Sequence, residues 1–354
     1  MTPSFWQGRR VLVTGHTGFK GAWLCLMLER MGARVAGLAL EPDQEPSLFA
    51  LARPDLVLGH HAGDIRDAAL VARTVAAVKP DIVLHLAAQS LVRLSYADPL
   101  ATYATNVMGT AHVLEAVRAL PSVQAVVVVS SDKCYENREW IWGYREADPM
   151  GGHDPYSSSK GCTEIVASSW RRSYFHDPAG TKIGSGRAGN VIGGGDWARD
   201  RLVPDTMRAF AAGRPVTLRN PNAVRPWQHV LEPLSGYLLL AERMAAEGQA
   251  FATGWNFGPA DEDAQRVVTV ARRLGELWGE GARVDVATDA DLHEAQSLRL
   301  DCTKAKLELG WRPILSLDEA LAWTSQWYRS HRDGADMRAV TLDQIARFNE
   351  RVSR

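Results

Sequence analysis

The feature that most constrains this chain is a glycine loop set between an apolar run and an amphipathic stretch. Val11-Leu12-Val13 leads into Thr14-Gly15-His16-Thr17-Gly18-Phe19-Lys20-Gly21. Gly21 to Met31 then follows helical spacing, with Leu24, Leu28 and Met31 on one face. A strand, a glycine-spaced turn and a helix, in that order, build a phosphate cradle. Gly15 allows the tight turn, Gly18 lets backbone approach a pyrophosphate, and Gly21 lets the helix lie close to the sheet. The helix N-terminus then presents N–H groups to the phosphates. The spacing is GxxGxxG, one residue longer in its first gap than the GxGxxG form. Lys20 opposes the helix dipole but is placed to meet phosphate.

The loop opens a longer alternation. Arg34 to Leu40, Asp81 to Leu86 and Ala125 to Ser130 read as strands, and Ala68 to Val78 and Asn106 to Leu120 as helices. Strands separated by helices imply βαβ units and a parallel sheet, whose strands are nearly continuous apolar runs because both faces are covered. The expected fold class is α/β: a Rossmann-type doubly wound parallel sheet with a smaller C-terminal substrate-binding lobe. The 354 residues suit roughly two domain-sized units. After about Gly189 the pattern loosens into Gly-, Pro- and Trp-rich segments, Gly193-Gly194-Gly195-Asp196-Trp197 and Asn220-Pro221 through Pro226-Trp227. We therefore expect a cofactor domain over 1–189 and mainly a substrate lobe over 190–354, with a segment near 254–259 returning to the first domain.

Charge excludes some functions. Lys and Arg number 40 against 41 Asp and Glu, so no net basic field awaits nucleic acid. No apolar run approaches the ~20 residues of a membrane span, and residues 1–10 carry no apolar leader core. Cys25, Cys134, Cys162 and Cys302 are scattered, without a CxxC pair, which suggests neither a disulfide framework nor a zinc site. The expected setting is cytoplasmic.

Several residues around the sheet's carboxyl ends fit a dinucleotide. The second strand meets no acid before Glu41, which reads as a loop charge, and no arginine follows to welcome a 2′-phosphate. NAD is therefore the expected cofactor. Asp64-Ile65 has two readings: an adenine contact with Ile65 against the ring, or a cap for the helix at Ala68. Leu86-Ala87-Ala88-Gln89 ends the third strand with small residues, which let a cofactor lie across it.

Tyr156-Ser157-Ser158-Ser159-Lys160 places a phenol and an ammonium one helical turn apart, just after an Asp154 N-cap and Pro155 at the first helical position. Cys162, Ile165, Val166 and Ser169 are expected to form that helix's buried stripe. A neighbouring ammonium stabilises phenolate, lowering a pKa that is normally ~10. Tyr156 is thus a candidate base for a sugar hydroxyl.

The glycine loop, Leu86-Ala87-Ala88-Gln89, Ser130-Ser131-Asp132-Lys133 and the YxxxK pair occur in the order of the extended short-chain dehydrogenase/reductases, and the chain resembles that superfamily over nearly its whole length. Ser131-Asp132-Lys133 narrows the resemblance. Nucleotide-sugar 4,6-dehydratases usually carry Thr-Asp-Glu here, and sugar 4-epimerases lack the acidic pair. Lys133 in place of Glu resembles the CDP-glucose 4,6-dehydratases. So do Gly15-His16-Thr17-Gly18-Phe19-Lys20-Gly21, Cys134-Tyr135-Glu136-Asn137 and Arg225-Pro226-Trp227-Gln228-His229-Val230.

The resemblance implies an NAD-dependent hydro-lyase acting on CDP-glucose, with dTDP-glucose or GDP-mannose dehydratases as the alternative. A 4-epimerase or a non-catalytic nucleotide sensor is a more distant one. Tyr156 would take the 4-hydroxyl proton, Ser131 would hold the 4-oxygen, Lys133 would take the C5 proton and Asp132 would protonate the departing 6-hydroxyl. Lys160 would hold the nicotinamide ribose. His16, Thr17, Phe19 and Asn106 would join the cofactor contacts, and Asn190, Arg219, Arg225 and Arg299 those to the sugar nucleotide, with His293 a weaker candidate. For Lys133 the competing reading is a plain ion pair with Asp132 or Glu136. A homo-oligomer, dimer or tetramer, is expected.

Overall fold

A computed structural model describes residues 1–279, 281–286 and 298–352. The chain runs β1 (Arg10–Thr14), α1 (Phe19–Arg30), β2 (Arg34–Ala39), β3 (His60–Ala62), α2 (Ala68–Val78), β4 (Ile82–His85), α3 (Gly109–Arg118) and β5 (Ala125–Val129). It continues through α4 (Pro155–Ser173), β6 (Lys182–Arg187), α5 (Leu231–Glu247), β7 (Gly254–Asn256), α6 (Leu317–Arg332) and α7 (Met337–Val352). The seven strands form one parallel sheet in the order β7-β6-β5-β4-β1-β2-β3. The order reverses between β1 and β4, and ligands of open α/β sheets bind at such a switch point. This is the doubly wound fold that the alternating pattern predicts.

The centre of the sheet is apolar on both sides because β1, β4 and β5 are. β5 is Ala-Val-Val-Val-Val, buried throughout. Successive side chains of a strand alternate in direction. Leu12, Val83, Val126 and Val128 accordingly join Val71 and Val75 of α2 and Val113 and Val117 of α3. Val11, Val13, Leu84 and Val127 join Leu24 and Leu28 of α1 and Leu234 and Leu238 of α5 on the other face.

Three local expectations need correction. The helix expected from Asn106 is entered through a wide π turn over Ala104–Met108. Asp64 does not cap α2. That cap is Asp67, whose side chain accepts from Leu70 N, while Asp64 accepts from Arg66 N. The buried stripe of α4 is also different: Ile165 and Ser169 face outward, and Tyr156, Ser159, Lys160, Thr163, Glu164 and Ala167 face inward. The inward face is polar because its groups find partners there. Ser159 and Thr163 hydroxyls donate to backbone carbonyls of Tyr156 and Ser159.

Among the described residues beyond 190, short two-stranded pairs form outside the main sheet: Val191–Ile192 with Gln228–His229, Val216–Leu218 with Val284–Val286, and Val224–Pro226 with Ala264–Arg266. β7 lies at the edge of the main sheet, and α7 reaches back to α1, where the Arg338 guanidinium contacts Glu29 and the Ala52 and Arg53 carbonyls. The glycine run 193–195 is explained by crowding. A Cβ on Gly194 would overlap the Trp327 ring, and Trp23 Nε1 donates to the Gly194 carbonyl at 2.9 Å.

Candidate active site

The cradle is built at the end of β1. Gly15 turns with φ +76°, and a Cβ there would lie 2.7 Å from Ala87 N. A Cβ on Gly21 would overlap the Gly15 carbonyl oxygen, so this helix can approach the loop only without one. Gly18 is the N-cap of α1 and supplies no side-chain cap to its first-turn N–H groups. Bare backbone at a helix N-terminus, at the switch point of the sheet, fits a dinucleotide pyrophosphate.

The neighbouring segment is pinned by Asn106. Its Oδ1 accepts from Gln89 N at 2.8 Å, and its Nδ2 donates to the Gln89 carbonyl at 3.0 Å and to Ser159 Oγ at 2.8 Å. The π turn thus joins Leu86–Gln89 to the helix that carries Tyr156. His16 packs over Gly37, where a Cβ would overlap its ring, and its Nε2 lies 2.6 Å from His60 Nδ1. His60 Nε2 reaches Glu41 Oε1 at 3.2 Å, so Glu41 is paired and not merely solvated. Burial, followed by His60, pushes the His16 pKa down to about 4, and the ring is neutral near neutral pH. Thr17 Oγ1 donates to the Leu40 carbonyl. Ile65 is buried against Gly109, and a Cβ there would collide with its Cδ1.

The reacting groups converge beyond β5. Ser131 caps a 3-10 turn over Asp132–Cys134, accepting from Lys133 N at 3.2 Å and donating to Asp132 Oδ1 at 2.9 Å. Asp132 is buried against Gly189, and Asn190 Nδ2 lies 3.5 Å from its Oδ2. Asn190 holds a left-handed backbone, φ +47°, to present that amide. Lys133 is half-buried, and among the described residues it pairs with neither Asp132 nor Glu136. Glu136 pairs instead with Arg138 at 3.2 Å.

Tyr156 departs from the electrostatic expectation. Burial pushes its pKa up to about 12, with the Ser131 hydroxyl and Arg201 lowering it and Asp132 raising it. The Lys160 ammonium donates to the Val129 carbonyl at 3.2 Å, and burial lowers its own pKa to about 8. Lys20 is depressed further, to about 7, by burial and by the cations Arg201 and Lys160. Lys20, Lys160, Arg201, Asp132 and Tyr156 therefore share one electrostatic neighbourhood.

Arg201 is a residue that the sequence reading passed over. Its guanidinium donates to Asp196 Oδ2 at 3.0 Å and to Ser90 Oγ at 2.8 Å, joining Asp196 to the residue that follows the Leu86–Gln89 segment. In the run Ala198-Arg199-Asp200-Arg201 it resembles any surface charge. The other arginines are dispersed. Arg219 pairs with Asp200 at 2.9 Å, and Asp200 also faces Arg93 at 3.8 Å. Arg225 is buried in the strand opposite Gln265. Arg299 accepts through its carbonyl from Tyr144 N, beside the loop that follows Lys133. His293 lies outside the described residues.

With this geometry in place, similarity becomes informative. The family model for GDP-mannose 4,6 dehydratase matches residues 12–324. The chain belongs to that family. The CDP-glucose 4,6-dehydratase of Salmonella typhimurium is 51% identical over 99% of both chains. The dTDP-glucose 4,6-dehydratase of Streptomyces antibioticus is 30% identical over 91% of this chain and 93% of its own. Among solved structures, the dTDP-glucose 4,6-dehydratase of Streptomyces venezuelae with NAD bound is 27% identical, covers 92% of this chain and 98% of its own, and gives a TM-score of 0.78. The UDP-glucose 4-epimerase of Thermotoga maritima, 24% identical over 91% of this chain and 99% of its own, shares the fold at a TM-score of 0.79.

Proposed function

We propose that the chain is an NAD-dependent nucleotide-sugar 4,6-dehydratase that converts CDP-glucose to CDP-4-dehydro-6-deoxyglucose and water. One observation carries the reading: the buried pair Tyr156 and Lys160 meets Ser131, Asp132 and Lys133 at a single strand end. The full-length likeness to a CDP-glucose relative supports the choice of nucleotide.

Tyr156 takes the proton of the 4-hydroxyl, and Ser131 holds the 4-oxygen. Lys160 binds the ribose beside the nicotinamide, while Arg201 and the Ser131 hydroxyl favour the phenolate against burial. Bound NAD supplies the reversible acceptor for the hydrogen that leaves C4 and returns at C6, so no net oxidation remains. The new 4-ketone acidifies C5–H. Lys133 takes that proton, Asp132 gives one to the 6-hydroxyl, which leaves as water, and Lys133 returns its proton to C5 as the hydrogen arrives at C6. Among the described residues no carboxylate pairs with Lys133, and Glu136 is taken by Arg138, which leaves the Lys133 side chain to reach C5 of the sugar. Asn190, beside Asp132, faces the sugar, and Arg219, Arg225 and Arg299 serve the diphosphate and nucleotide, where guanidinium gives permanent, bidentate charge.

The described residues include no helix long and apolar enough to cross a membrane. The working form is a homo-oligomer. Leu100, Met108 and Ile165, 81%, 51% and 58% exposed, lie on the 99–118 helices and on α4, which pack side by side. A two-fold pairing buries such a face against its own copy.

The test is direct. Purified protein with NAD is given CDP-glucose, dTDP-glucose and GDP-mannose, and products are followed by NMR. CDP-glucose is expected to give the 4-keto-6-deoxy sugar fastest. Faster conversion of another nucleotide, or a C4 epimer as product, overturns the reading.

A further inference from the structure

Beneath Lys160 lies an ion pair that takes no part in these proton transfers. Glu164, one turn beyond Lys160 on α4, accepts at Oε2 from Arg187 Nη2 at 2.8 Å, and both side chains are about 5% exposed or less. Its carboxylate is fully occupied. Oε1 accepts from Ser130 Oγ, and Oε2 also from Ser185 Oγ. Arg187 Nη1 donates to the Tyr135 hydroxyl at 2.6 Å and to the Glu146 carbonyl at 3.1 Å. The Tyr135 hydroxyl donates onward to Asn256 Oδ1 at 2.7 Å. Gly254 leaves room for the guanidinium, which a Cβ would overlap.

The placement matters because Ser130 and Tyr135 bracket the turn that carries Ser131, Asp132 and Lys133. Both ends of that turn are therefore tied to one carboxylate–guanidinium pair, which also joins α4, β6 and β7. Stability alone is a poor reason for such a pair, since well-packed apolar replacements are often neutral or better.

We propose that Glu164 and Arg187 form a positioning pair that clamps both ends of the 131–134 turn to the helix bearing Tyr156 and Lys160. The proposal rests on the dehydratase reading, in which oxidation at C4 and elimination across C5 and C6 need the two groups of side chains in register. A misplacement of ~1 Å costs on the order of 100-fold in rate. Glu164 has a second effect. Its carboxylate is the leading group that opposes burial in keeping Lys160 protonated; among the described residues Lys20 and His85 also face this ammonium, and the Cys134 thiol beside it stays neutral.

Two substitutions test the clamp. Tyr135→Phe removes one hydroxyl and leaves the ring stacked on Tyr144. It is expected to lower kcat ~10- to 100-fold with KM little changed, and to speed amide hydrogen exchange across Asp132–Tyr135 in the free protein while the melting temperature stays close to the parent's. Glu164→Gln preserves shape and removes the charge, so the alkaline limb of kcat/KM is expected to move to lower pH as Lys160 loses its proton earlier. Parent-like kcat and parent-like amide exchange in Tyr135→Phe overturn the clamp, as does an unmoved alkaline limb in Glu164→Gln. The parent is assayed first on all three nucleotide sugars. If it converts none, the dehydratase reading falls, while amide exchange in the turn still decides the clamp.

Discussion

Tyr156 stands at the intersection of two demands. It must be buried to exclude water from the sugar, and burial makes its phenol a weaker acid, at about 12. Arg201 and Ser131 work against that penalty, while the Lys160 amine points to a backbone carbonyl. Helical spacing in the sequence placed Lys160 one turn from Tyr156, but spacing does not say where a flexible amine ends. Asp132, Lys133, Tyr156 and Lys160 were legible because each lies in a short motif. Arg201 and Glu164 were not, because an unpaired charge and a buried, paired one look alike in sequence. Tyr156→Phe is expected to reduce kcat by ~10²–10⁴, the usual worth of a general base, with NAD affinity by calorimetric titration unchanged. Lys133 and Asp132 separate by isotope. Lys133→Met is expected to oxidise C4, accumulate reduced cofactor and incorporate no solvent deuterium at C5. Asp132→Asn is expected to accumulate the same absorbance yet still exchange C5, because its base survives. Normal turnover by Lys133→Met would return that lysine to a structural role.

At the scale of elements, β1, β2, β4, β5 and the helices α1 to α4 were readable from apolar runs and caps, whereas β3, β6 and the helices α5 to α7 were not. The Asp154–Pro155 start of α4 is as the sequence implies, with Asp154 accepting from Ser157 N at 2.9 Å. The facing of α4 was not readable, because its buried side is polar and hydrophobic patterning chose Ile165 instead. Helix α5 hides a similar case. Glu232 is buried and accepts at Oε1 from Ile314 N and Leu315 N, while its Oε2 has no partner among the described residues. Burial raises its pKa from 4.5 to about 8. The folded protein therefore favours the protonated acid. That advantage is complete below the unfolded pKa and is lost as pH rises through about 8. Melting temperature is expected to fall between pH 5 and 8, and Glu232→Gln is expected to flatten the fall. Parallel melting curves for parent and variant across that range would contradict the assignment.

The molecule as a whole was legible in its first half, where βαβ rhythm is strict. It was much less so afterwards, where two-residue strands such as Val191–Ile192 carry no periodicity to detect. The exposed face of Leu100, Met108 and Ile165 belongs to this scale too. If the proposed oligomer pairs through this face, Ile165→Glu is expected to give a monomer in analytical ultracentrifugation, with the fold retained by circular dichroism. An unchanged sedimentation coefficient would move the interface elsewhere. The return of α7 onto α1 bears on how the protein is made. Trp23 and its neighbours on α1 leave the ribosome early, but Gly194 and Trp327, which cover them, and Arg338, which ties down Glu29, follow some 170 to 315 residues later. At ~5–20 residues per second, the nascent chain carries an uncovered aromatic and aliphatic surface for on the order of tens of seconds. The surface of α1 is thus open to aggregation until α7 has been made and folded back onto it.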